Sequence, residues 1–445
     1  MTTRRGTAAP WGAAALSSIV TIGALTMGAQ AQTAPGSPGL PPPRLERPDD
    51  RTESQREAEN FDPKGVRVGS FMLFPSLELN EAFNDNVYAQ TSSAGPTASF
   101  LQVIKPAAEL RSNWTSHMLN LYVRSAIGFY TAASTQNYQD VSAGFDGRVD
   151  IQRNWNVYGG FSFNRKHEVP GLPNTVTGPT NATIYNQISG NAGYYQKINR
   201  FSGRAEFNVD NYTYFDNGLG INQGVVPNND RNRTEMRESL RFGYEFLDGY
   251  EFWVRGSLNQ RLYNTYIDIS GFARNSTGWD VVGGITLNLG GLINAEAFGG
   301  YLQQNYVNQG TIPLQGAMFG FLANWNPIKP LWVRPYVRRT VNEAAYVGQS
   351  GYLATSMGFG ATYDLRPDIQ LNGGFDYTIA DYQGFTTSTT PSQYDQYVTF
   401  GAGLMYTPVR QFFIGPSYQF VHRASNQPGL DYSQNVVMLR LGARL

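Results

Sequence analysis

The stretch VSAGFDGRVDIQ, residues Val141–Gln152, decides the fold. Val141, Ala143, Phe145, Gly147, Val149 and Ile151 share one face. Ser142, Gly144, Asp146, Arg148, Asp150 and Gln152 share the other. Successive side chains of a strand point to opposite faces, so the segment reads as a strand with one apolar and one polar side. Phe201 to Asp210 and Tyr250 to Arg261 alternate in the same way. So do Leu119 to Phe129, Trp155 to Asn164, Leu331 to Arg338 and Leu371 to Ile379. Beyond the N-terminal apolar run, no segment carries the 3.6-residue period of a helix.

From residue 66 onward the chain holds about 18 such strands, about 16 being the alternative count, and many reach the ~10 residues that a tilted membrane strand requires. The connections are of two kinds. Short turns are expected near Trp114-Thr115, Arg153-Asn154, Asn199-Arg200, Asp248-Gly249, Gly290-Gly291, Asn326-Pro327, Arg366-Pro367 and Pro408-Val409. Longer loops are expected at Gln90–Ala98, Thr131–Asn137, Glu168–Thr183, Asp216–Asp230, Asp268–Ser276, Val307–Pro313, Tyr346–Ser350, Gly384–Pro391 and Ala424–Gly429. The two kinds alternate along the chain. Tight turns on one side and longer loops on the other describe an all-β, antiparallel, up-and-down transmembrane barrel. A soluble sandwich or propeller also alternates in polarity, but its strands are shorter and its turns lack this order. Trp114, Trp155, Trp253, Trp325 and Trp332 sit at or beside the short turns, where an indole suits a membrane interface. An even strand count places both ends of the barrel in the periplasm.

The N-terminus reads as an export signal covering residues 1–31. Arg4 and Arg5 precede an uncharged run, Ala13 to Gly28, and Ala29-Gln30-Ala31 offers a small-x-small cleavage site before Gln32. That run falls short of the ~20 residues of a spanning helix. Residues 32–60 form a Pro-rich and then mixed-charge linker, and residues 61–445 the barrel. A separate plug is not expected, because the segment before the first strand is short and Pro-rich. The chain has no cysteine, and its 34 basic residues balance its 34 acidic ones. That balance argues against nucleic acid as a partner. Charged residues make up 15% of the chain, against roughly 25% in soluble domains. The partners expected are outer-membrane lipid and the barrel-assembly machinery, which would engage the last strand, Asn435 to Leu445.

The segment GVRVGSFMLFPSLELNEAFNDNVY, Gly65–Tyr88, carries Arg67, Gly69, Phe71, Pro75 and the cluster Asn84-Asp85-Asn86-Val87. It resembles the opening of the putative beta-barrel porin 2 family. That resemblance implies an outer-membrane barrel of a Gram-negative bacterium and a connection with exopolysaccharide or with periplasmic export components. Asp85 and Asn86 are expected near the top of the first strand, as a rim contact or a functional one.

Charges in lipid cost about 2–4 kcal/mol at mid-depth, so they are expected to face the lumen. The pore-lining candidates are Arg124, Asp146, Arg148, Arg204, Glu206, Arg241, Glu245, Glu251, Arg255, Arg334, Arg338 and Asp376. They read equally as a permeation path and as ions paired along the wall. Tyr122, Tyr158, Trp253, Trp332 and Tyr336 fall on the same face, where they would stack on sugar rings or brace the wall. His117, His167 and His422 are scattered, and no catalytic or nucleotide-binding motif occurs, so neither an enzyme, a cofactor nor a metal site is expected. The functions left open are a channel serving exopolysaccharide export, a general diffusion pore for small polar solutes, and a non-conducting surface barrel whose loops bind partners.

Overall fold

The computed structural model describes residues 61–445, apart from 174, 176–180, 219–224, 269–270, 291, 309–310, 345–348 and 385–392. The expected signal (1–31) and linker (32–60) lie outside the described residues. Eighteen strands close into one antiparallel barrel. The first five are β1 Phe71–Asn84, β2 Ser99–Ser112, β3 Met118–Tyr130, β4 Tyr138–Gln152 and β5 Trp155–His167. Next come β6 Ile184–Ile198, β7 Phe201–Tyr214, β8 Arg233–Leu247, β9 Tyr250–Tyr263 and β10 Ser276–Asn288. The last eight are β11 Ile293–Tyr306, β12 Leu314–Ile328, β13 Leu331–Glu343, β14 Gln349–Arg366, β15 Ile369–Gly384, β16 Tyr394–Val409, β17 Phe412–Ser425 and β18 Tyr432–Arg444. Each strand pairs with its chain neighbours, and β18 pairs with β1 from Ser76↔Arg444 to Asn84↔Val436. That last ladder leaves the barrel no open edge. No helix among the described residues is long and apolar enough to cross a membrane.

The turns follow the expected order, with two shifts. The tight connections expected at Asn326-Pro327 and Pro408-Val409 lie instead at Lys329-Pro330 and Arg410-Gln411. The register slips between Trp325 and Ile328, and again between Tyr406 and Val409. A proline has no N–H for the ladder, and such an irregularity is where a strand tolerates it. Before β1, Val66–Val68 folds back on Phe71–Leu73 through Gly69-Ser70. Gly69 has φ +60°, a conformation that two-residue hairpin turns need at their first central position and that glycine adopts without strain.

The outer face is the apolar one. Leu240, Phe242, Phe252, Val254, Leu258, Phe400, Leu439 and Leu441 all stand exposed on it. Carboxylates such as Glu81 and Glu238 interrupt it in the long-loop half of their strands. Val281, near the middle of β10, is 50% exposed between Gly256 and Tyr301. Val281→Arg should therefore cost roughly 2–4 kcal/mol in a bilayer. Unfolding by urea from lipid vesicles, compared with Val281→Ala, measures this.

The wall is not uniform. β12 and β13 are paired only from Gly320↔Arg338 down to Ile328↔Leu331. Toward the long loops, Leu314–Phe319 stays paired with β11, while Arg339–Glu343 stays paired with β14. There β13 has left β12 and turned into the lumen. Arg261 on β9 forms an ion pair with Glu343 and donates to the Val341 carbonyl at 3.3 Å. β9 and β13 are four strands apart, roughly 19 Å along an undistorted wall. Side chains alone do not reach the backbone across that distance, so the β13 backbone has moved in. Val341 and Leu353, outward by their alternation, consequently pack on the inward residues Trp253, Val282, Phe298, Leu302, Leu314 and Met318. Gly351 allows the approach: a β-carbon there would lie 2.6 Å from the Tyr306 hydroxyl and 2.8 Å from a Leu314 methyl.

Candidate permeation path

The inward face divides into sectors of different character. On β8 to β11 the charges are buried and paired. The Arg241 guanidinium donates to Glu296 at 2.9 Å and to the Thr286 hydroxyl at 3.0 Å, and lies 4.0 Å over the Trp253 ring. Asp280 accepts from Arg237 at 2.7 Å and from Arg255 at 3.3 Å. Glu235 pairs with Arg233 at 2.7 Å and lies 3.8 Å from Arg261. Glu343 takes up Arg261 and the Tyr263 hydroxyl, the latter at 2.6 Å. This sector holds a cavity of about 60 Å³ lined by Glu235, Arg237, Arg261, Asp280, Gln304 and Thr340, among others. Ions so paired hold the wall together but leave little charge for a passing solute.

Arg241 and Arg255, expected as pore lining, thus point inward but are closed off. Trp253, expected as a stacking surface, is 2% exposed and carries no free face. Alternation identified its side of the strand correctly. It could not show that β13 and β14 would cover that side.

On β18 and β1 to β5 the inward charges are more open. Glu78 accepts two hydrogen bonds from Arg440, at 3.2 and 2.9 Å, and lies 3.4 Å from Lys105. Arg124 is 59% exposed, 3.6 Å from Glu109 and 5.0 Å over the Tyr122 ring. Asp146 is exposed, and Arg148 pairs with Asp150 at 2.9 Å. Along β5 to β9 toward the short turns, Tyr158 donates to Glu206 at 2.6 Å, and Arg204 sits 5.7 Å from the Tyr195 ring. Glu245 pairs with Lys197, and Glu251 accepts from Ser202 at 2.7 Å.

The lower part of β13 differs again. Trp332, Arg334, Tyr336 and Arg338 take successive inward positions opposite Thr362, Gly360, Gly358 and Ser356 of β14. All four are partly exposed, and neither arginine forms an ion pair among the described residues. Asp376, two strands on, accepts from the Thr378 hydroxyl at 3.1 Å.

At the long-loop end, buried ions tie the loops to the rim. Arg231 grips Glu168 with two hydrogen bonds, at 2.5 and 3.1 Å, and Arg274 donates to Asp268 at 2.5 Å and to the Ala344 carbonyl. Burial raises the Asp230 carboxyl pKa above its usual range, with Arg274 opposing the shift and Asp268 adding to it. Burial opposes the charge on Arg274, yet Tyr263, Asp268 and Glu343 together hold its guanidinium above the ordinary value.

The opening-segment residues are structural in their contacts. Arg67 donates to the Gly69 carbonyl at 3.2 Å, Phe71 packs edge-on against Trp114 at 5.4 Å, and the Pro75 carbonyl accepts from the Leu445 amide at 3.2 Å. Asp85 accepts from the Asn435 amide at 2.7 Å and its side-chain amide at 2.6 Å. Asn86 donates to the Gln90 and Ser433 carbonyls at 2.7 and 3.0 Å and accepts from the Gln90 amide at 2.9 Å. Its own carbonyl accepts from Gln434 at 2.7 Å. Together they fasten the first strand to the last at the long-loop rim.

Sequence reasoning missed Asp280, Glu296 and Glu343 as partners of the inward arginines. Glu343 shares the outward parity of Val341 and meets Arg261 only because β13 is displaced; for Asp280 and Glu296 the inward parity is legible in the alternation. The antiparallel register and the displacement of β13, which decide who meets whom, are not.

A closed barrel with an apolar outside and a polar inside is a porin-like outer-membrane protein. The chain belongs to the putative beta-barrel porin 2 family, whose model matches residues 59–445. No curated protein matches its sequence. Solved structures similar to it include OpdO of Pseudomonas aeruginosa, at 13% identity over 84% of this chain and 97% of that one, with a TM-score of 0.42. OccAB4 of Acinetobacter baumannii follows at 9% identity, 84% and 98% coverage and a TM-score of 0.44. OpdK of Pseudomonas aeruginosa, solved with vanillate, has 10% identity, 84% and 99% coverage and a TM-score of 0.42.

Proposed function

We propose that the barrel is a channel whose path runs along the open sectors of its lumen and that it serves the export of an exopolysaccharide. The observation that carries this reading is the asymmetry of the inner wall. One sector is packed and neutralised, whereas β13 and β18–β5 present inward arginines, carboxylates and rings, of which Arg124 and Asp146 are exposed and Tyr122, Arg334 and Arg338 partly so. A wall needed only for support would gain from pairing every charge, because an unpaired one costs desolvation without return. The short turns then face the periplasm, with export components as partners there, and barrel-assembly machinery inserts the chain through β18. Tyr158, Glu206, Glu245 and Glu251 would border the periplasmic mouth.

Planar-bilayer recording of the purified, refolded protein tests the channel. Discrete, ohmic current steps are expected. A heat-modifiable barrel that passes no current would instead be a surface barrel acting through its loops. Deletion of the gene in its own host should abolish or sharply reduce secreted polysaccharide. Normal secretion with current intact would leave a general diffusion pore.

A further inference from the structure

We infer that Trp332, Arg334, Tyr336 and Arg338 form a binding track for an acidic glycan, one whose sugar residues carry carboxylates. The inference rests on the channel reading and names the substrate class of that path. The four side chains stand on one strand at every second residue, roughly 7 Å apart, so the track runs roughly 20 Å along the wall. Ring and cation alternate along it. An indole or phenol offers a flat apolar face to a sugar ring, and a guanidinium offers a planar fork that matches a carboxylate. A polymer with a hydrophobic ring face and repeating carboxylates presents both features.

The neighbouring wall leaves room for it. Beside the track lie Gly360 and Gly358 on β14, Gly374 on β15, and Gly403 and Gly401 on β16, all inward by register. Tyr336 leans over this floor, its Cε1 atom 3.1 Å from where a β-carbon of Gly358 would stand. Thr362 and Asn372, hydrogen-bonded to each other at 3.1 Å, give the floor a polar border. Two carboxylates border the floor, and each is engaged by the wall itself: Asp364 accepts from Gln370 at 2.9 Å and Asp376 from Thr378. The contrast with β8 and β9 is the second support. There Arg233, Arg237, Arg241, Arg255 and Arg261 each have a carboxylate partner. On β13 neither Arg334 nor Arg338 has one among the described residues.

Isothermal titration of the detergent-solubilised barrel with a galacturonate oligomer, and with a malto-oligosaccharide of equal length, tests the track without requiring current. The acidic oligomer should bind and the neutral one should bind far more weakly. The variant R334Q/R338Q should lose roughly tenfold or more in affinity for the acidic oligomer. Lysine at both positions should restore part of it. Where the double variant fails the heat-modifiability check for folding, the single variants R334Q and R338Q give the same reading. Equal binding of both oligomers, no binding of the acidic one, or undiminished binding by folded R334Q/R338Q would overturn the assignment. A barrel that binds the acidic oligomer but passes no current would sink the channel reading and leave the binding track standing.

Discussion

Glu343→Ala should enlarge the single-channel current and lower the unfolding temperature in the same protein. Glu343 holds the upper part of β13 inside the lumen through Arg261 and the Tyr263 hydroxyl. It is 5% exposed, and Arg261 is 7% exposed, so removing the carboxylate leaves a buried guanidinium without its main partner. Breaking a buried pair from one side costs about 3–5 kcal/mol. Glu235, 3.8 Å from Arg261, recovers some of that. With the clasp gone, β13 is free to swing toward β12 and widen the passage. A companion variant, E343L/R261M, separates the two effects. Replacing both ions by apolar groups should return much of the stability while leaving the current high. An unchanged current in both would mean that the inward turn of β13 is held by its apolar packing alone.

The second large effect is expected at the seam. Asn86 is 2% exposed and makes three hydrogen bonds through its side chain, and Asp85 makes two more to Asn435. D85A/N86A should cost about 3–5 kcal/mol, at roughly 1 kcal/mol for each bond lost and somewhat more where a buried partner is stranded. The loss should be local. Amide exchange along Val436–Leu441 of β18 should quicken well before that of Val281–Ile285 in β10. The temperature at which the folded band disappears from a semi-native gel should fall as well. Uniformly faster exchange around the barrel would show that the pair stabilises the fold without closing it.

Much of this architecture is legible in the residues. Alternation in Val141–Gln152 identifies both faces of β4, and the two classes of connection give the order and sense of the strands. Even the departure of β13 leaves a mark. Its inward–outward rhythm runs cleanly through Trp332, Arg334, Tyr336 and Arg338, and Arg339 then places a second cation next to the first. The wall divides at that step. What alternation does not carry is distance across the lumen. Arg241 and Arg334 both face inward, yet one is locked to Glu296 and the other forms no ion pair among the described residues, because only the assembled register brings a carboxylate to the first. A rim contact for Asp85 and Asn86 is legible in the sequence, but its partners, Ser433 to Asn435, are not, because they lie at the far end of the chain.

The parting of β12 from β13 also fixes how high the oil can rise. Above Gly320, the two facing strand edges lack each other as hydrogen-bond partners. Bare peptide groups of that kind are not tolerated among acyl chains. On this side of the barrel the hydrocarbon must therefore stop near Gly320, and Gly320–Ile328 alone crosses it, close to the ~9–11 residues that a tilted strand needs. The clasp at Glu343 then lies inside the lumen at headgroup depth, and a thicker bilayer would press lipid against the notch, so that acyl-chain length becomes a force on β13.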